Sequence, residues 1–177
     1  GYIALNIGGT SYVKLTKEVG AVIRGNIISD AGSKGLYMFD ENGAIIENNQ
    51  ITTATTKTSY SGMDLFRCRG NMIVRNNIIR NNQSVYSTGI SIRQELLGTL
   101  ETPILVYNNA VSISNSQASS YGIDVTSDCA YISFYNNTIN LNGSGGTCFS
   151  ISKTYSTIKN IYLQNNLFQN NAGGGVF

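Results

Sequence analysis

The sequence predicts an all-β solenoid of about six coils, each built from three short strands running parallel to their copies in the next coil. Three observations carry this. An Asn pair recurs along the chain, apolar residues alternate with period two around it, and a Gly-led apolar motif recurs between the pairs.

The Asn windows are "AVIRGNII", "AIIENNQI", "MIVRNNII", "ILVYNNAV", "ISFYNNTI" and "IYLQNNLF". Aligned on the second Asn, they place Asn26, Asn49, Asn77, Asn109, Asn137 and Asn166 at intervals of 23, 28, 32, 28 and 29, a mean of 28. The positions five before, three before and two after each of these Asn residues are apolar in every window. That alternation reads as strand, with the aligned Asn on the inward parity. The first Asn of each pair, or Gly25 in the first window, sits at a tight bend where a left-handed backbone is needed. The second Asn forms an inward ladder. Its amide is expected to donate to one neighbouring coil and accept from the other, which makes burial tolerable.

Between these windows stand "GLYM" (35–38), "GMDL" (62–65), "GISI" (89–92), "GIDV" (122–125) and "CFSI" (148–151), with "YIAL" (2–5) and "GVF" (175–177) as first and last copies. A small residue leads an apolar–x–apolar strand. A unit of three short strands cannot bury its own apolar face, but stacked units can, at about 4.8 Å per coil. The chain is read as a single segment, residues 1–177, truncated at both ends. Unpaired strand edges at the ends then require flanking coils, caps or a partner chain to cover them.

Composition excludes several classes of function. Charged residues are only 12% of the chain and net charge is +2, so there is no basic stripe for nucleic acid. No apolar run reaches the length of a membrane-spanning helix. There is no His, which removes Ser-His-Asp and Cys-His nucleophilic sites and the common His-bearing metal sites. Cys68, Cys129 and Cys148 are too far apart in sequence for a zinc pattern. Cys68 and Cys129 fall in comparable loops two coils apart, beyond disulfide reach, so three free thiols are expected.

With its Asn windows and Gly-led strands, best seen in "GIDVTSDCAYISFYNNTINLNG" (122–143), the chain resembles the right-handed parallel β-helix of the pectate-lyase-like superfamily. The resemblance covers nearly the whole chain. It implies the fold and leaves the activity open among polysaccharide lyases, polygalacturonases, alginate epimerases, phage tailspikes, and surface adhesins or stalks. The polygalacturonase and epimerase patterns need a His that this chain lacks.

In the enzymes of that superfamily the site lies along the Gly-led strand. The outward residues of that strand are read as Ala4, Tyr37, Asp64, Ser91, Asp124 and Ser150, with Asp40, Arg67, Arg69, Arg93 and Asp128 just downstream. Tyr37, Asp64 and Asp124 are the candidate glycan-contacting residues. If the resemblance to the lyases holds, Asp64, Arg67, Arg93 and Asp124 are the residues for calcium-assisted β-elimination, and Ca²⁺ would be the only cofactor. Otherwise no catalytic residue, metal site or cofactor is expected. A second outward column, Arg24, Glu47, Arg75, Tyr107, Tyr135 and Gln164, reads as a surface ladder rather than an aromatic platform for sugars. In the insertion "RQELLGTLETP" (93–103), Leu96, Leu97 and Leu100 are expected to pack down.

Taken together, the sequence is read as a structural or adhesive rod within a larger secreted or cell-surface bacterial protein, in contact with polysaccharide along one face. The alternative is the core of a polysaccharide lyase.

Overall fold

The computed structural model describes residues 3–8, 18–53, 58–82, 86–94, 96–152 and 157–176. Three parallel sheets of six strands each run the length of the molecule, and no helix occurs among the described residues. The first sheet orders Ile3–Gly8, Lys34–Phe39, Ser59–Phe66, Tyr86–Arg93, Tyr121–Thr126 and Thr147–Ser152. The second orders Val22–Arg24, Ile45–Glu47, Ile73–Arg75, Ile104–Tyr107, Ala130–Tyr135 and Lys159–Gln164. The third orders Ile27–Ser29, Gln50–Thr53, Ile78–Asn81, Ala110–Ser116, Thr138–Gly143 and Leu167–Asn170. Each coil visits the sheets in that order, so six strands per sheet make five coil-to-coil steps.

The predicted bend and ladder are both present. Asn48, Asn76, Asn108, Asn136 and Asn165 have φ between 53° and 56°, and Gly25 has 69°. Left-handed backbone is where Asn and Gly are tolerated best. The second Asn of each pair points inward, and Asn49, Asn77, Asn109 and Asn137, with a coil on either side, satisfy the whole amide. Asn77 Oδ1 accepts from the Asn49 backbone N–H at 3.0 Å and from Asn49 Nδ2 at 2.9 Å. Asn77 Nδ2 donates to Ile46 O and to Asn109 Oδ1, both at 3.0 Å. The same links join Asn26 to Asn49, Asn109 to Asn137 and Asn137 to Asn166.

Inward apolar residues form columns beside this ladder. Ile46, Val74, Val106 and Phe134 stack in one and Ile51, Ile79, Val111 and Ile139 in another, all buried. In the first sheet Leu36, Met63, Ile90, Ile123 and Phe149 do the same. The Gly that leads each strand is packed against its copies. A Cβ on Gly89 would lie 2.5 Å from Gly122 O and 2.3 Å from Val111 Cγ1, so no side chain fits. Two consecutive inward residues, Gly35 and Leu36, interrupt the alternation there, and the same happens at Gly62–Met63, Gly89–Ile90 and Gly122–Ile123.

Three expectations are corrected. The first copy of the Gly-led motif is not "YIAL": Leu5 pairs with Leu36 and Asn6 with Tyr37, so Asn6, not Ala4, heads the outward column. Both alignments satisfy a period of two, and the register is set by pairing. At the other end Gly175 bridges to Thr147, which puts Val176 rather than Gly175 at the small-residue position; Tyr2 and Phe177 of those two motifs lie outside the described residues. In the insertion, Leu96 is buried and Leu97 bridges Arg69 and Ala130, but Leu100 is exposed at a turn closed by the Thr99 and Thr102 hydroxyls. The three cysteines are free and buried, with Cys68 and Cys129 in one column on either side of Leu96.

Replacing Asn109 by Ala is expected to destabilise the protein by about 3 kcal/mol or more in denaturant titration, because it strands donors and acceptors on both neighbouring coils. Asn108→Gly, one residue away at φ 53°, is expected to stay within about 1 kcal/mol of the parent, since Gly accepts that backbone at little cost. Equal losses at the two positions would refute the separate roles of bend and ladder.

Candidate functional site

The outer face of the first sheet brings together the residues that the sequence singled out. Tyr37 pairs with Asp64, Asp64 with Ser91, Ser91 with Asp124, and Asp124 with Ser150. One pleat further along stand Gly8, Phe39, Phe66, Arg93, Thr126 and Ser152.

Asp64 is buried by its neighbours. Arg93 grips it with two hydrogen bonds, Nε to Oδ1 at 2.7 Å and Nη2 to Oδ2 at 2.5 Å. Lys34 forms an ion pair with Oδ2 from the other side. Both cations also lie over aromatic rings: Lys34 Nζ is 3.8 Å from the Tyr37 centroid, and the Arg93 guanidinium carbon is 5.1 Å from that of Phe66. Tyr37 stacks on Phe39 at 5.8 Å. The result is a half-exposed aromatic patch with two cations clamped on one carboxylate. The Arg93 pKa is raised, chiefly by its hydrogen bond to Asp64. Sequence parity missed Lys34. Strict alternation turns it inward with Leu36, and only the paired inward residues at Gly35 bring it to the outer face.

The other lyase candidates do not converge on this spot. Arg67 turns away at φ 56° and pairs with Asp40 of the preceding coil, Nε to Oδ1 at 3.2 Å. Asp124 stands two coils from Asp64 with Ser91 between them. Burial raises its pKa, and a hydrogen bond with Ser150 partly offsets that. Its Oδ1 is buried and meets no hydrogen-bond donor. Asp128 is exposed and accepts the Thr157 backbone N–H at 3.0 Å.

Calcium wants several oxygens converging on one point. Here both oxygens of Asp64 are held by cations, Asp124 is two coils distant, and no three acidic or Cys side chains among the described residues are grouped to hold a metal. The described residues of this face do not fit a calcium ion.

The second outward column is the surface ladder read from the sequence: Arg24, Glu47, Arg75, Tyr107, Tyr135 and Gln164 pair in order. Glu47 is bridged by Arg24 and by Arg75, the latter at 2.5 Å, and the hydrogen bond from Arg75 is the main cause of its lowered pKa. Arg75 Nη1 donates to Tyr107 Oη at 2.9 Å, and the Tyr107 and Tyr135 rings stack at 4.7 Å with 7° between planes. Rings stacked along the coil axis spend their faces on each other and present edges outward. That suits a ladder better than a sugar platform.

Two substitutions separate the acids. Asp64→Ala leaves Lys34 and Arg93 facing each other without a counter-charge and is expected to lower stability by about 3 kcal/mol at neutral pH; a loss below about 1 kcal/mol by denaturant titration would show that the clamp is not structural. Asp124→Asn has the opposite sign. An acid whose folded pKa is raised binds more protons folded than unfolded, so the parent loses stability as pH rises from the ordinary Asp range through the raised value. The Asn variant is therefore expected to be the more stable at pH 7, with the gap closing below about pH 4. A gap that persists in acid would locate the effect elsewhere.

No curated protein and no solved structure matches the chain. The family model described as a right-handed β-helix region matches residues 6–177, all but the first five positions. Parallel three-sheet coils, a buried Asn ladder and this match agree: the chain belongs to the right-handed β-helix family.

Proposed function

We propose that the chain is a structural or adhesive rod of a larger secreted or cell-surface bacterial protein, which contacts glycans along the outer face of the first sheet. The observation that carries this reading is the clamp on Asp64. The acid and the base that a lyase would need are spent on each other, Asp64 bidentate to Arg93 and paired again with Lys34. What remains on that face is suited to contact rather than turnover. Tyr37, Phe39 and Phe66 present half-buried rings whose edges border the face, and the clamped cations leave a local positive excess that favours acidic sugars.

Calorimetric titration with uronate oligosaccharides, paired with an ultraviolet assay for unsaturated uronate with and without calcium, tests this. Binding without turnover, weakened about tenfold by Tyr37→Ala in a folded variant, is the expected result. Turnover that disappears in Asp124→Asn or Arg67→Ala would establish the lyase reading instead. No binding by any acidic or neutral glycan tested would remove the glycan contact from the proposal.

A further inference from the structure

We infer that Asp124 and the hydroxyls around it form a second subsite on the outer face of the first sheet, one that takes an amino sugar through its ammonium group. The inference deepens the glycan reading and rests on it for the ligand being a glycan.

The first sheet turns two chemically different halves outward. Towards one end stand the aromatic rings and the two cations clamped on Asp64. Towards the other, Asp124 is the one charged residue of the strands Tyr121–Thr126 and Thr147–Ser152. It stands between Ser91 and Ser150 in its column. Arg93 lies one coil and one pleat away, but both of its hydrogen bonds to a carboxylate go to Asp64.

The carboxylate of Asp124 is short of positive charge. Its Oδ1 is buried without a donor, and burial raises its pKa against a smaller opposing effect of the Ser150 hydrogen bond. No salt bridge among the described residues holds it.

The hydroxyls around it are uncommitted. Thr88, Ser91, Thr126, Thr147 and Ser152 all face outward, and their hydroxyls make no hydrogen bond among the described residues. The other two outer faces behave differently. On the third sheet the outward amides bond one another, Asn171 Nδ2 to Asn142 Oδ1 at 3.0 Å and Asn142 Nδ2 to Asn140 Oδ1 at 3.3 Å. On the second sheet Glu47 holds Arg24 and Arg75.

This combination selects among ligands. An ammonium group carries a positive charge and three protons, and Ser91, Asp124 and Ser150 offer acceptors for them in a single column. Sugar hydroxyls both donate and accept, as the surrounding Ser and Thr hydroxyls do. A neutral sugar satisfies the hydroxyls and leaves the charge unanswered. An acidic sugar, which the clamp on Asp64 favours, is repelled here. A metal ion finds one carboxylate among neutral oxygens, and no three acidic or Cys side chains among the described residues are grouped to hold one.

Calorimetric titration of the chain with a β-1,4-linked glucosamine tetramer, its N-acetylated counterpart and an oligolysine of equal charge tests the assignment. The amine form is expected to bind about tenfold tighter than the acetylated one, the effect of one charge-assisted hydrogen-bonded pair. Asp124→Asn keeps the shape of the side chain and should bring the two within about twofold of each other. Asp128→Asn removes the same charge from the next corner and should leave the tenfold preference in place. The inference is overturned if the parent chain binds both forms equally, if the preference survives Asp124→Asn, if Asp128→Asn abolishes it as well, or if oligolysine binds more tightly than the amino sugar. Uronate bound through Tyr37 with no amino sugar bound would sink this subsite and leave the glycan reading standing. Failure of both to bind would sink the two together.

Discussion

A primary amide has two lone pairs and two protons to satisfy, and burying it with any of them unmet costs on the order of 1–3 kcal/mol. The rest of this structure depends on one arrangement that meets all four. Each ladder Asn from Asn49 to Asn137 accepts twice from the coil before it, donates once back to that coil, and donates once to the coil after it. The arrangement closes only if the same residue stands at the same height in every coil. It therefore fixes the register of the adjoining strands, and with it which residues form the interior. Spacings from 23 to 32 residues between rungs are tolerated because the extra length is absorbed away from the ladder, as in the loop that ends at exposed Leu100.

The legibility of the sequence follows from how tightly each region is constrained. Around the Asn pairs the bend, the rung and the flanking inward residues fall within eight consecutive positions, so the windows could be aligned and the second and third sheets read in register. The first sheet is marked only by a small residue and an apolar–x–apolar pair. Where the small residue is Ala4 rather than Gly, a shift of one pleat fits the alternation equally well, and only pairing places Leu5 opposite Leu36. A second left-handed corner follows the first sheet at Asp40, Arg67, Gln94 and Ser127, with φ from 50° to 57°. Four different residue types share that conformation, so no motif announces it.

The candidate site was legible as a set of columns and illegible as a set of contacts. Period two gives the side of the sheet, and the coil repeat gives the neighbour above and below. Neither says which long side chains reach diagonally. Arg93 lies one coil and one pleat from Asp64, a distance its side chain spans, and Lys34 reaches the same acid only because the inward pair at Gly35 and Leu36 reverses its parity. These two reaches pair the candidate acid with two cations at once.

A stacked sheet sets every outward side chain about 4.8 Å from its neighbours, whatever the chain is for. At that spacing opposite charges join each other before they meet a ligand, as Glu47 does with Arg24 and Arg75 and Asp64 does with Lys34 and Arg93. Aromatic neighbours likewise stack face to face, as Tyr107 and Tyr135 do. Chemistry on such a face requires a column that breaks this self-satisfaction. On the first sheet that happens at Asp124, where serines stand above and below and no salt bridge among the described residues holds the carboxylate, so that burial raises its pKa. The interior ladder is indifferent to all of this. Outward residues can change coil by coil while the amide stack holds the register, which is why one scaffold carries a charged clamp, a tyrosine stack and a buried acid on its outer faces.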